Sequence, residues 1–146
     1  MGTLFGSDDE RHREDVRDEA IVRAYEAQGR TLDALPYTEA FERLYAAAGG
    51  DAAWGGPNAA FRRLHNLRKA GKLPRLGRSA VQPVRVSSQE ERILGELVVA
   101  AVGSLGQRDQ LPFDPRFDQV HAAFRRRSGR DLSRHDFWRL VAKIAK

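Results

Sequence analysis

Apolar residues recur along the chain at the three- and four-residue spacing typical of amphipathic helices. The first such stretch runs through Val16, Ala20, Ile21, Ala24 and Tyr25, which share one side of a helix. Similar stretches follow along most of the remaining sequence. An alternating, strand-like pattern occurs only over residues 80–86, where Pro83 interrupts it. The pattern therefore predicts an all-α protein.

The second half of the chain resembles the first when the sequence is shifted by 76 positions. The aligned pairs include Leu35 with Leu111, Pro36 with Pro112, Tyr37 with Phe113, Phe41 with Phe117 and Phe61 with Phe137. Nine of the 32 positions from Asp33 to Leu64 are identical, whereas chance gives roughly two or three at ordinary composition. We therefore predict a tandem duplication, with units at residues 8–78 and 87–146. Coincidence between two Ala- and Arg-rich amphipathic regions is the alternative explanation.

Each unit is predicted to contain three helices, which gives about six helices in the whole chain. Thr38 is placed to cap the second helix of the first unit, and Asp114 to cap its counterpart in the second unit. Ser88 and Glu91 form a capping-box pattern before the first helix of the second unit. Three helices in this order give the general plan of a helix-turn-helix protein. Residues 49–56, however, are longer than the turn of a strict motif.

Charge is distributed unevenly between the start and the end of each unit. Residues 61–88 hold eight basic and no acidic residues, and residues 121–146 hold eight basic and two acidic residues. The stretches before them, 1–60 and 89–120, are acidic overall, and the whole chain has a formal net charge of +5. Each third helix is therefore basic, which favours a polyanionic partner such as nucleic acid.

The third helix of the first unit has one apolar and one polar side. A helical wheel places Phe61, Leu64 and Leu67 together, with Arg62, Asn66 and Lys69 opposite and Arg63 and His65 at the margins. Arg and Asn side chains can form paired hydrogen bonds with guanine and adenine edges, whereas Lys more often contacts phosphate. This polar side is therefore the predicted DNA-reading face.

The predicted nucleic-acid interface extends beyond this helix. Residues 72–78 form a basic segment that is either a wing or arm along the DNA backbone or a solvated linker between the units. In the last helix, Arg139 is expected opposite the apolar side, with Trp138 and Lys143 at the margins. The full set of predicted nucleic-acid-binding residues is Arg62, Arg63, Asn66, Lys69, Lys72, Arg75, Arg78, Arg126, Arg127, Arg130, Arg139, Lys143 and Lys146.

Other classes of function lack their usual sequence signals. The chain has no Cys and four His, and no pair of His residues has the spacing of a zinc site. The longest apolar run, residues 97–102, is too short to cross a bilayer, and the N-terminus does not resemble a secretory signal. We therefore expect a cytoplasmic protein that is not an enzyme, needs no metal or cofactor, and does not enter a membrane.

Two main hypotheses for function follow; RNA binding ranks below DNA, because most aromatic residues occupy core positions at helical spacing and do not form a stacking surface. The first is a protein that binds double-stranded DNA through the basic third helices of its two units. The second is a protein-interaction adaptor, or a homodimer, that uses its acidic first helix and has no role with nucleic acid. Trp54 lies in a Gly-rich loop, where it either anchors a partner or covers the core of this chain; we favour the core.

Overall fold

The computed structural model describes residues 2–76 and 84–144, with the exception of the side chains of residues 2–8. Throughout these ranges the regular structure is helical, with no β-strand, so the all-α prediction is confirmed. Seven α-helices lie in the described part: α1 (Gly2–Gln28), α2 (Glu39–Ala47), α3 (Gly50–Trp54), α4 (Pro57–Lys69), α5 (Ser88–Val102), α6 (Pro115–Ser128) and α7 (Arg134–Ile144). Two short 3₁₀-helices, η1 (Leu32–Ala34) and η2 (Leu105–Gln110), precede α2 and α6.

Side chains at the starts of the helices satisfy the backbone N–H groups that the first turn leaves unpaired. Thr38 caps α2, since its hydroxyl accepts a hydrogen bond from the backbone N–H of Phe41 at 3.1 Å. Asp114 caps α6 in the same way. Both caps lie where the sequence predicts them.

The capping box of α5 lies one residue earlier than predicted. Ser87 and Glu90 form it, because each side chain accepts a hydrogen bond from the backbone N–H of the other residue. Two overlapping Ser-x-x-Glu patterns occur here, and the sequence alone does not separate them. Glu90 is additionally bound by Arg130 from the end of α6, and this tertiary contact favours the earlier register.

The long turn between the second and third predicted helices contains a helix of its own. Residues 50–54 form α3, so the first unit has four α-helices rather than three. Trp54, at the end of α3, packs against the core, and its Nε1–H donates to the carbonyl oxygen of Ala48 at 3.0 Å. The guanidinium of Arg17 lies 5.0 Å from the centre of the indole ring. This indole therefore covers the core of its own chain.

The two units exchange equivalent contacts. Within each unit the first helix packs on the second, α1 on α2 and α5 on α6, whereas α4 packs on η2 and α7 packs on η1. Asn58 of α4 donates to the carbonyl oxygen of Pro112 at 2.8 Å. In the same way, a ring nitrogen of His135 in α7 lies 3.0 Å from the carbonyl oxygen of Pro36. Two copies of one unit would make such reciprocal contacts. The duplication itself stays a prediction from the sequence.

Four aromatic rings form a continuous stack where the units meet. Successive ring centres are 4.6 Å apart from Phe41 to Phe113, 4.6 Å from Phe113 to Tyr37 and 4.5 Å from Tyr37 to Phe117. Tyr37 and Phe113 alternate with rings of the opposite unit. The Tyr37 hydroxyl oxygen also accepts a hydrogen bond from the backbone N–H of Phe113 at 2.7 Å. The stack therefore joins the two units by ring contacts and by a main-chain bond.

Both central residues of the stack have a strained backbone. Tyr37 and Phe113 have φ angles of 64° and 65°, in the left-handed region that bulky residues rarely adopt. Such a conformation costs on the order of 1–3 kcal/mol per residue. Each ring contact contributes roughly 0.5–1.5 kcal/mol beyond its burial. Packing between the units therefore offsets the strain at both turns.

Buried side chains from both units form one hydrophobic cluster. Phe61 of the first unit and Phe117, Phe137 and Trp138 of the second are among its fully buried members. The boundaries predicted at residues 78 and 87 therefore do not separate two cores. Helices α4 and α7 are each covered in part by the opposite unit.

The first prediction concerns the Tyr37 hydroxyl. Replacing Tyr37 with Phe keeps the ring but leaves the N–H of Phe113 without its acceptor, which costs about 1–3 kcal/mol when the donor is buried. Tyr45→Phe is the matched control, because the Tyr45 hydroxyl bonds Asp51 at an exposed position where water replaces the lost partner. Urea unfolding of both variants measures the difference. Equal stability of the two variants would contradict the structural role of the bond.

The second prediction concerns alkaline pH. Burial raises the pKa of Tyr37 from 10.0 to about 12. The unfolded chain therefore loses this proton first, and stability that is complete below pH 10 falls as the pH rises through about 12. Urea midpoints below pH 10 and near pH 12 should differ more in the wild-type protein than in Tyr37→Phe. An equal pH dependence would show that Tyr37 is not the titrating group.

Candidate nucleic-acid interface

Helix α4 has one buried side and one exposed side. Ala60, Phe61 and Leu64 are fully buried beneath it. Arg62, Asn66 and Lys69 are exposed, as the wheel predicts, and they make no hydrogen bond or ion pair to any residue that the structure describes. The guanidinium, amide and ammonium groups of these side chains are therefore available to an outside partner.

The segment of the chain that contains this face has no acidic residue. Residues 57–76 include six basic residues and no acidic residue. Lys72 and Arg75 follow α4 and are exposed, so they extend the positive surface beyond the end of the helix. Arg78 and Lys146, which the sequence also assigns to the interface, lie outside the described residues.

Arg63 holds the fold together instead of facing a partner. Its Nε and Nη2 donate to the two carboxylate oxygens of Asp18 at 2.8 and 2.6 Å. This paired geometry is the strong form of an Arg–carboxylate contact, and it raises the pKa of Arg63. The contact fixes α4 against α1 at the edge of the exposed face.

Most of the predicted arginines in the second unit are also paired. Arg127 contacts Glu96 at 2.9 Å, Arg130 contacts Glu90 at 3.2 Å, and Arg139 contacts Asp136 at 3.7 Å. The Arg139 side chain is only 14% exposed. Arg126 is exposed and has no ion pair among the described residues, and the exposed Lys143 reaches the carbonyl oxygen of Val84 at 3.3 Å.

Helix α7 does not present a face equivalent to that of α4. Trp138 occupies the position of Arg62 in the repeat and is fully buried, with its ring 5.6 Å from that of Phe61 in an edge-to-face arrangement. Ala142 occupies the position of Asn66 and is 2% exposed. The expectation that Trp138 lies at the margin of an exposed face is therefore wrong. Packing against η1 and α5 covers more of α7 than the wheel indicates.

The structure adds two cationic residues that the sequence interpretation does not assign to the interface. Arg108 belongs to η2, which packs on α4, and its charge acts on buried His65 together with those of Arg68 and Lys69. Arg116 lies at the start of α6, close to the Asp114 carboxylate. Arg108 and the Asp114 partner of Arg116 come near α4 through contact between the units, which the spacing along the chain does not predict.

His65 lies beneath the exposed face and is 2% exposed, whereas the wheel places it at the margin. Its Nδ1 lies 3.2 Å from Nη2 of Arg68, and its ring meets Phe61 edge to face at 4.7 Å. Burial lowers the pKa of His65 from 6.5 to about 3, and the charge of Arg68 adds to the effect. His65 is therefore a neutral core residue.

The described residues include neither a candidate metal site nor a membrane-spanning helix. Within residues 2–76 and 84–144, no group of three or more His, Asp or Glu side chains is arranged to hold a metal ion. Among the helices described, none has both the length and the apolar character needed to cross a membrane.

The third prediction concerns His65 and acid. Because the folded-state pKa is lowered, the unfolded chain takes up a proton that the folded chain does not. Stability is therefore complete above pH 6.5 and decreases as the pH falls toward about 3, by about 1.4 kcal/mol per pH unit from this residue. The wild-type protein should lose more stability than His65→Leu between pH 6.5 and about 5, above the range where carboxyls titrate. Parallel pH profiles of the two proteins would contradict this assignment.

Comparison with known proteins gives no functional assignment for this chain. No protein-family model, curated protein or solved structure shows significant similarity to it. The functional assignment therefore depends on the charge, exposure and contacts of its own side chains.

Proposed function

We propose that the protein binds double-stranded DNA and that α4 lies in the major groove. The observation that supports this best is the exposed side of α4, where Arg62, Asn66 and Lys69 have no partner among the described residues. A major groove admits an α-helix, and positive charge along that helix attracts the phosphates on both sides.

The side chains on α4 divide into two groups by chemistry. Arg62 and Asn66 are suited to base edges, because a guanidinium and a carboxamide can each form two hydrogen bonds with one base. Lys69 lies two turns beyond Arg62, and Lys72 and Arg75 follow the helix. These three cations are suited to phosphates, which position a protein on DNA without reading its sequence.

Contacts on the other sides of α4 hold it firmly. Arg63 is bound to Asp18 of α1, and Asn58 donates to the carbonyl oxygens of Gln110 and Pro112 at 3.0 and 2.8 Å. A helix anchored at both flanks keeps its outward side chains in a constant relative position. Binding then loses less conformational entropy than it would for a mobile helix.

We assign the reading helix to α4 and not to α7. The face of α7 that matches it in the repeat is buried, and Arg139 is bound to Asp136. In this proposal the second unit supports α4 through η2 instead of supplying a second reading helix. The chain therefore reads one short DNA segment.

The second candidate is the protein-interaction adaptor, and the exposure of α1 favours it. Residues 9–17 are exposed on all sides of the helix, and the Val16 side chain is 51% exposed. The adaptor hypothesis expects a protein complex that survives nuclease treatment of a lysate, together with no affinity for DNA. The DNA hypothesis expects affinity for DNA and no protein complex that survives nuclease treatment.

The fourth prediction tests the α4 face with a labelled random-sequence DNA duplex. Fluorescence anisotropy should show binding that weakens steeply between about 50 and 200 mM salt. The double variant Arg62→Glu, Lys69→Glu should bind at least about tenfold more weakly, because it loses two favourable contacts and adds repulsion.

Arg43→Glu, Arg92→Glu is the matched control. It changes the net charge by the same amount at two exposed positions on α2 and α5. Wild-type affinity in the α4 double variant, or an equal loss in the control, would show that α4 is not the binding face. Absence of binding by the wild-type protein at low salt would overturn the DNA proposal itself.

A further inference from the structure

We propose that Arg116 of the second unit is an additional DNA contact beside Arg62, and that Asp114 is the residue that positions it. This inference rests on the proposed function of α4. It adds a specific residue from the opposite unit to the binding surface.

Asp114 fixes the orientation of Arg116 by three hydrogen bonds. Its Oδ1 accepts from the backbone N–H and from Nε of Arg116, both at 2.9 Å, and its Oδ2 accepts from Nη2 at 3.3 Å. The carboxylate thus occupies one edge of the guanidinium. The Arg116 side chain is 40% exposed, and Nη1 has no partner among the described residues. The remaining edge can therefore bind a phosphate or the edge of a guanine.

The same contact between units brings this group close to α4. Asn58 binds the carbonyl oxygen of Pro112, two residues before Asp114. Arg62 lies one helical turn after Asn58, on the same side of α4. Arg116 lowers the pKa of Asp114, and Arg62 adds a smaller effect of the same sign. Two guanidinium groups from different units thus lie near one carboxylate.

Capping of α6 does not account for the arginine. At the equivalent turn of the first unit, Thr38 caps α2 although Ala40 occupies the position of Arg116. The Arg116–Asp114 pair joins residues two positions apart, so it does not link separate helices as the Arg63–Asp18 pair does. The cap and the fold therefore do not require Arg116, whereas a DNA-binding surface uses a guanidinium held in one orientation.

Arg116 and the cations that follow α4 lie toward opposite ends of this helix. Lys72 and Arg75 follow the C-terminal end of the helix, whereas Asp114, which holds Arg116, lies near Arg62 in its first half. Cations at both ends of a groove-bound helix contact phosphates on both sides of the base pairs that it reads. The second unit then contributes to binding directly, although α7 does not.

The fifth prediction compares Arg116→Gln with Arg43→Gln, each of which removes one exposed positive charge. Loss of one phosphate contact should reduce the slope of log affinity against log salt by about one. It should weaken binding to the labelled duplex by roughly tenfold near 0.1 M salt. Arg43→Gln should leave both values close to those of the wild-type protein. Equal effects of the two substitutions would overturn the role of Arg116.

Asp114→Asn separates positioning from net charge. Asn is as good an N-cap as Asp, so α6 and the fold are retained, which the thermal midpoint checks. Removal of a negative charge beside Arg62 would strengthen DNA binding if charge alone mattered. We expect binding about threefold or more weaker, because Arg116 loses its fixed orientation. Unchanged or tighter binding would overturn the positioning role of Asp114.

The outcomes distinguish this inference from the function on which it depends. One outcome would overturn only the inference about Arg116. In it, the wild-type protein binds DNA with a steep salt dependence, Arg62→Glu, Lys69→Glu binds more weakly, and Arg116→Gln keeps the wild-type affinity and salt slope. Absence of binding by the wild-type protein would overturn both. Arg116→Lys provides a further check, since it keeps the charge but not the forked geometry. It should retain the wild-type salt slope and recover only part of the affinity.

Discussion

The aromatic stack between the units is the interaction on which the rest of the structure depends. Tyr37 and Phe113 reach across to the rings of the opposite unit, Phe117 and Phe41. To do so, both adopt a left-handed backbone conformation that an isolated chain would avoid. The stack therefore fixes the turn before α2 and the turn before α6. Helix α4 is hydrogen-bonded to the turn before α6, and α7 to the turn before α2. The position of α4 therefore depends on the stack.

The units are similar in sequence, but α4 and α7 differ in exposure because the packing around the two helices is not fully symmetric. At one pair of equivalent positions, Arg62 is exposed and Trp138 is buried; at another, Asn66 is exposed and Ala142 is buried. The large apolar side chain increases the hydrophobic area that α7 removes from water, which stabilises the fold. The polar side chains on α4 remain in water, where their donors stay solvated until a partner replaces the water. Helix α7 therefore contributes mainly to the core, whereas α4 also presents a polar surface.

Local features of this fold can be predicted from the sequence, whereas contacts between distant segments cannot. The caps at Thr38 and Asp114 and the exposed side of α4 depend on neighbours within a few residues, and the structure agrees with the predictions for them. The burial of His65 and Trp138 depends on which elements pack against α4 and α7. A helical wheel gives the centre of the apolar side but not its width, so residues at its margins are assigned incorrectly. Arg116 lies outside the predicted interface for the same reason, since only contact between the units brings it near α4.

The distribution of ion pairs separates arginines that hold the fold from those available for binding. Arg63, Arg127 and Arg130 each have a carboxylate partner on another helix, and these pairs join α4 to α1 and α6 to α5. In contrast, the exposed side of α4 has no carboxylate of its own. Arg62 is attracted by the nearby Asp114 carboxylate without forming an ion pair, and Lys69 has no ion pair among the described residues, so the repulsion between these cations is only partly offset. Fold stability gives no reason to gather such residues on one helix. A polyanion such as DNA removes this repulsion when it binds, and the arrangement of charge on α4 therefore supports the proposed function.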